Sequence, residues 1–173
     1  MSPGKPHRPD FIECACLRDL YLHFERLFLC DATSGTVTSC CGHEIKVFDH
    51  NFFHFVKLRH PEKPQPLLMA NEKSEILYTT AGFGGYAYDR QRAIYLASAR
   101  SCLESPDEVW RDEELMTPKW IYLKEFDARP YLFTVVLVAE RKEGFVPATS
   151  FPAKKRDARR WRRGIKLYPE NMG

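Results

Sequence analysis

The chain has 173 residues, of which 44% are hydrophobic and 13% are aromatic, so it can form one ordinary domain with a substantial core. This composition excludes general disorder, and no apolar run approaches the roughly 18 residues that a membrane span requires. The first ten residues are polar and rich in proline, which is typical of neither a signal peptide nor a transit helix. Six cysteines without a secretory signal indicate that the thiols are reduced or bind a metal, as in a cytoplasmic protein. Export by a route that uses no N-terminal signal is the alternative. No membrane partner is expected.

Positive charge is concentrated near the end of the chain. Residues 154–166 hold eight of the 26 Lys and Arg residues and one acid, which leaves 18 basic against 22 acidic residues elsewhere. Such a segment suits a polyphosphate ligand, because each neutralised phosphate releases condensed counterions. The alternative is a solvated terminal tail, but Trp161 within the segment argues against it, since a solvating tail gains nothing from an indole.

The first half of the chain reads mainly as helices. Apolar residues recur at three- and four-residue spacing over residues 11–29, and two short strands at 36–40 and 44–48 flank a Cys41-Gly42 turn. A helix is predicted to start at Asn51, and the clearest helix covers residues 90–103. Ser105 and Glu108 have the spacing of a capping box, which predicts that another helix begins there.

The second half changes to strands. The patterns over 120–126, 131–139 and 145–151 predict three antiparallel strands, with 131–139 in the centre because it is apolar on both faces. Helices followed by a strand meander indicate an α+β domain with an antiparallel sheet, and the helix at 90–103 should pack on that sheet.

Two side chains on the predicted helix at Asn51 could perform acid–base chemistry. His54 and Lys57 are three residues apart and share one helix face. A neutral imidazole beside an ammonium can act as a base near pH 7, and the ammonium can stabilise a phosphorane-like dianion. The alternative is the solvated face of an ordinary amphipathic helix.

Four other polar residues stand out from their surroundings. Arg100 falls in the apolar stripe of its helix, where a guanidinium must reach solvent, meet an anion or bind the last helix carbonyls. Thr134 is the polar residue of an apolar strand, and its hydroxyl could equally bond to backbone. Thr149 and Ser150 point to opposite strand faces, so only one can face a cleft; Ser150 is preferred as a phosphate ligand, with Thr149 nearly as suitable.

The cysteines raise the question of zinc. Cys30, Cys40, Cys41 and His43, together with Cys14 and Cys16, could supply tetrahedral nitrogen and sulfur ligands. Their spacing matches no standard zinc motif, so buried or surface thiols are the alternative to a structural zinc.

Several short motifs occur in a familiar order: His54-Phe-Val-Lys57, Arg59-His60-Pro-Glu62, the helix that ends in Ser-Pro-Asp, Phe133-Thr134, and Ala148-Thr-Ser-Phe151. Over roughly residues 50–168 the chain resembles the phage-associated branch of the barnase–EndoU–colicin–RelE-like nucleases. The resemblance implies a four-stranded antiparallel sheet and a toxin-like or phage-borne endoribonuclease that needs no catalytic metal. It also implies residues 49–168 as the nuclease domain, after an N-terminal helix and hairpin element at 1–48 and before a tail at 169–173.

In such enzymes a base removes the ribose 2′-proton, a cation stabilises the phosphorane, and a hydroxyl on a late strand binds the phosphate. The matching positions are His54, Lys57, Arg100, Thr134 and Ser150, with Lys154 as a further candidate. The implied partners are RNA, for example a tRNA, and an inhibitory immunity or antitoxin protein; a non-catalytic nucleic-acid-binding module is the alternative function. The residues expected to bind RNA are Lys154, Lys155, Arg159, Arg160, Arg162 and Arg163.

Overall fold

A computed structural model describes residues 11–12, 17–30, 33–56, 90–114 and 119–169. Within these ranges the elements are, in chain order, α1 (Leu17–Phe28), β1 (Ser34–Thr38), β2 (Glu44–Phe48), α2 (Asn51–Val56), α3 (Arg90–Ile94), α4 (Leu96–Glu104), β3 (Glu108–Asp112), β4 (Lys119–Glu125), β5 (Phe133–Arg141), β6 (Gly144–Ala153), α5 (Lys155–Trp161) and β7 (Ile165–Tyr168).

The strands form one seven-stranded sheet in the order β1-β2-β6-β5-β4-β3-β7. Every neighbouring pair is antiparallel except β2 and β6, which run parallel and meet at Ile45 and Phe145. The three predicted C-terminal strands and their antiparallel pairing are confirmed. The expected four-stranded sheet is corrected to a seven-stranded mixed sheet, because the N-terminal hairpin and the basic segment both add strands.

The fourth position of seven belongs to β5, as its apolar sequence predicted. Its residues Phe133–Ala139 are all buried because helices or side chains cover both faces of the sheet. On one side, the α4 face, Val136 and Val138 join a core with α1, α2 and α4. On the other side, the α5 face, Val135 and Leu137 pack with Ala158 of α5. The boundary expected after residue 48 falls within this continuous sheet and core.

The helix predicted over residues 90–103 packs on the sheet but is interrupted. Tyr95 has φ −91° and ψ 13°, and its N–H bonds to the Arg92 carbonyl at 3.2 Å, which is the tighter three-residue turn. The break separates α3 from α4, so side chains four residues apart across Tyr95 do not share one straight helix face.

One prediction for the second half of the chain is wrong in its local structure, and one alternative is excluded. Glu108 begins β3 and not a helix, because its strand pairs with both β4 and β7. The basic segment is not a solvated tail, since it forms α5 and then β7 at the sheet edge. The turn between them needs Gly164, which has φ +81° and whose Cβ, if present, would lie 2.0 Å from the Arg111 carbonyl oxygen.

Candidate active site at the edge of β6

The edge of β6 has different neighbours along its length. Its beginning pairs with β2 at Phe145, whereas its second half lies against α2 and α3. Asn51 sets this arrangement, because its buried side chain accepts a hydrogen bond from the Phe48 N–H at 2.7 Å and donates one to the Pro147 carbonyl at 3.4 Å. The predicted helix start at Asn51 is confirmed, and its side chain anchors α2 beside β6.

Thr149 on β6 is the point where three elements converge. Its hydroxyl donates to the His54 carbonyl of α2 at 3.2 Å and accepts a hydrogen bond from Nη1 of Arg92 on α3 at 3.2 Å. Thr149, His54 and Arg92 are all partly exposed to solvent. A guanidinium and a hydroxyl held together in this way can bind one phosphate, since both donate hydrogen bonds to anionic oxygens.

An aromatic pair continues from this point along the α5 face. The Arg92 guanidinium lies 5.6 Å from the Phe151 ring centre, and Phe151 contacts Trp161 with 5.3 Å between ring centroids. The Phe151 ring therefore contacts both the Arg92 guanidinium and Trp161 at the end of α5.

The predicted hydroxyls Ser150 and Thr134 lie on the α4 face. Ser150 is opposite Val136 and only 4% exposed, and Thr134 is fully buried. No described residue forms a hydrogen bond with the Thr134 Oγ1. Thr149, opposite Leu137, lies on the α5 face, so the structure brings Thr149 and not Ser150 to Arg92.

A β-bulge decides which of the two hydroxyls faces Arg92. Val138 pairs with Pro147 and Leu137 pairs with Thr149, so Ala148 is the extra residue. An extra residue reverses the alternation of the strand from that point onward. Without it, Thr149 would lie opposite Val136 on the α4 face.

The described contacts of Arg100 connect two helices. Its Nε bonds to Glu104 at 2.7 Å, and its Nη1 donates to the Leu27 carbonyl in the last turn of α1. The guanidinium thus binds helix-end carbonyl and carboxylate oxygens, in the way expected of a structural arginine. Lys57, the remaining predicted catalytic residue, lies outside the described residues.

Arg92 is the site residue that the sequence argument missed. Arg92 is four residues before Leu96, and Arg100 is four residues after it. In one straight helix both arginines would therefore lie on the same apolar stripe. The break at Tyr95 then turns Arg92 toward β6 while Arg100 contacts α1.

A family profile described as phage-Barnase-EndoU-ColicinE5/D-RelE like nuclease 2 matches residues 54–169, about two thirds of the chain. The chain belongs to this nuclease family. The resemblance seen in the motifs is confirmed, and the match contains Arg92, Thr149 and the basic segment but not α1, β1 or β2. No curated protein and no solved structure matches the chain.

Two cations of the basic segment of the nuclease form ion pairs with carboxylates of β3. Arg162 forms a two-pronged pair with Glu108 at 2.8 and 3.0 Å, and Arg163 lies 2.5 Å from the buried carboxylate of Asp112. These two residues hold the segment on β3. Arg163 is itself exposed, and so are the other residues expected to bind RNA: Lys154, Lys155, Arg159 and Arg160.

The N-terminal hairpin places its cysteines and histidine beside β4. The Sγ atoms of Cys40 and Cys41 are 3.9 Å apart, and Nδ1 of His43 lies 2.6 Å from the Tyr122 hydroxyl. Burial lowers the pKa of His43 and raises that of Cys41 to about 11. Across the described part of the chain, no three His, Cys, Asp or Glu side chains are grouped to hold a metal ion, and Cys30 is exposed. The predicted structural zinc therefore lacks a ligand set among these residues.

In the ranges that the structure describes, no helix is both long enough and apolar enough to cross a membrane.

Proposed function

We propose that this nuclease is an endoribonuclease that cleaves RNA by attack of the 2′-hydroxyl and needs no divalent metal. The observation that carries the proposal is the convergence of Arg92, Thr149 and the end of α2 at one point beside β6. A base, a cation and a hydroxyl are what this reaction needs within reach of one phosphate.

The roles follow from the chemistry of each group. Arg92 and Thr149 bind the non-bridging oxygens of the scissile phosphate. Arg92 gives up its bond to Thr149, and the Thr149 hydroxyl gives up its bond to the His54 carbonyl, so that both donate to the substrate. His54 accepts the 2′-proton as the ribose oxygen attacks phosphorus. The bond from phosphorus to the 5′-oxygen then breaks and that oxygen takes a proton from solvent, which leaves a 2′,3′-cyclic phosphate and a 5′-hydroxyl; His54 returns its proton to solvent. Lys57 stabilises the dianionic phosphorane.

The exposed cations of α5 supply affinity that does not depend on sequence. Lys155, Arg159 and Arg160 present positive charge on a short helix whose Ala158 is buried against the sheet. Phosphates of the RNA strand would bind there with the salt dependence of counterion release. An acidic inhibitory protein would compete for the same surface.

The test is cleavage of tRNA and of unstructured RNA in excess EDTA, with identification of the ends formed. We expect 2′,3′-cyclic phosphates, a loss of roughly 10²–10⁴-fold in rate for His54→Ala, and a loss on the order of 10²-fold for Thr149→Val. Ser150→Ala is the matched control, since that hydroxyl is adjacent in sequence but buried on the opposite face.

Two outcomes would contradict the proposal. If Ser150→Ala loses as much activity as Thr149→Val while both variants keep their melting temperature, the assignment of the phosphate site to Thr149 on the α5 face is wrong. Salt-sensitive binding of every RNA without cleavage of any would instead support the non-catalytic nucleic-acid-binding module.

A further inference from the structure

Trp161 differs from Trp110 although both border the buried cluster on the α5 face. The Trp110 indole N–H donates to Glu108 at 2.8 Å, which fixes its orientation. The Trp161 indole is half-buried at the end of α5, and no residue of the described ranges accepts a hydrogen bond from its N–H.

The surroundings of Trp161 combine positive charge with rings that do not stack on it. Phe151 contacts the indole at an interplanar angle of 53°, which is tilted and not parallel. The Arg163 guanidinium lies over one face of the indole, 5.4 Å from the ring centre, and its Nε is 2.5 Å from Oδ2 of Asp112, so a base would stack on the other face. An aromatic surface beside fixed cations is what an unpaired nucleotide needs, because every base has a π face and every nucleotide a phosphate.

Trp161 is also close to the proposed phosphate site. Two successive steps, 5.6 Å from the Arg92 guanidinium to Phe151 and 5.3 Å from Phe151 to Trp161, connect them. This is comparable to the reach from a phosphate to the base of an adjoining nucleotide.

We propose that Trp161 stacks on the nucleobase next to the scissile phosphate, so that the enzyme selects RNA whose bases are unpaired at the cleavage site. The inference rests on the proposed ribonuclease function and names the part of the substrate that the site recognises. Paired bases are stacked within their duplex and cannot present a free face to the indole.

The test uses a DNA oligonucleotide that contains a single ribonucleotide, because only that position carries the attacking 2′-hydroxyl and the cleavage site is therefore known. Two further versions lack the base on the 5′ side or on the 3′ side of the scissile phosphate. We compare wild type, Trp161→Ala, Trp161→Phe and the control Trp110→Phe, each with its melting temperature measured.

On the intact oligonucleotide we expect Trp161→Ala to raise KM roughly 5- to 150-fold, the usual range for loss of one base–aromatic stack. Trp161→Phe should recover much of this loss, and Trp110→Phe should leave KM unchanged. On one of the two abasic oligonucleotides the wild type should already bind weakly, and Trp161→Ala should add no further loss. An equal loss for Trp161→Ala on all three oligonucleotides overturns the proposal, because the indole would then not contact a base.

Binding of an all-DNA oligonucleotide, which cannot be cleaved by 2′-hydroxyl attack, separates this proposal from the ribonuclease function. If the wild type cleaves nothing, the ribonuclease proposal fails, while the fluorescence anisotropy of the same intact and abasic sequences still decides the stacking. If Trp161→Ala loses affinity for the intact and the abasic DNA sequences by the same factor, the stacking proposal is wrong even if the enzyme is active.

Discussion

The Glu108–Arg162 pair should stabilise the attachment of the basic segment to β3, and Glu108→Gln tests this directly. The two side chains make three contacts of 2.8–3.0 Å, and they are only 20% and 28% exposed. Exposed ion pairs contribute about 0.2–1 kcal/mol, and breaking a buried pair costs about 3–5 kcal/mol. For this partly buried pair we expect a loss of about 2 kcal/mol, or a melting temperature lower by about 4–8 °C.

The pH dependence of the stability lost in Glu108→Gln shows whether the ion pair is its cause. Burial opposes ionisation of Glu108, but hydrogen bonds from Arg162 and Trp110 outweigh it and bring its pKa below the ordinary 4.5. The unfolded chain therefore binds this proton more readily than the folded one, and the stabilisation is complete above about pH 4.5 and lost as the pH falls below it. The difference between wild type and Glu108→Gln should shrink accordingly in urea unfolding below that pH.

Glu104→Gln is the matched control, because its pair with Arg100 is more exposed, at 43% and 35%, and joins residues four apart on one helix. It should cost no more than about 0.5 kcal/mol. The reasoning is refuted if both variants lose the same stability, or if the Glu108→Gln deficit persists unchanged at low pH.

Three further predictions concern folding. Deletion of residues 1–48 should abolish cooperative thermal unfolding, because it removes strands and a helix of the common core; a truncated protein with the wild-type melting temperature would contradict this. Gly164→Ala should cost more than about 2 kcal/mol by urea unfolding, since the new Cβ meets the Arg111 carbonyl, whereas Gly42→Ala, also at positive φ but with open space, should cost about 1 kcal/mol. Burial lowers the pKa of His43 below 6.5, so wild-type stability should fall between pH 7 and pH 5, and His43→Phe should show a flatter pH profile; equal slopes would disprove it.

The local pattern of apolar residues was sufficient to predict the central strands of the sheet. The core strand β5 and its neighbours β4 and β6 follow from runs of apolar residues bounded by turns, because each residue's burial there depends on nearby sequence. The charge of residues 154–166 was sufficient to predict a segment suited to an anionic ligand. The family resemblance was recognisable from short motifs, among them those at His54 and Thr149, and from their order along the chain.

Pairings between distant segments were decided by the tertiary structure. The parallel contact of β2 with β6 and the addition of β7 depend on which sheet edges remain open after folding, and no local pattern contains that information. Glu108 illustrates the limit, since its capping-box spacing is genuine, yet pairing of β3 with both neighbours satisfies more backbone groups than a short helix would.

The site itself depends on two local irregularities that only the folded chain reveals. Arg92 and Arg100 both occupy apolar-stripe positions in the sequence. Because the helix is interrupted at Tyr95, Arg92 contacts β6 and Arg100 contacts α1. Strand alternation separated Thr149 from Ser150 but could not say which faces outward, because the answer depends on the bulge at Ala148. Sequence alone determined that a hydroxyl and an arginine were available, and a one-residue change of register in the packed sheet determined which ones meet.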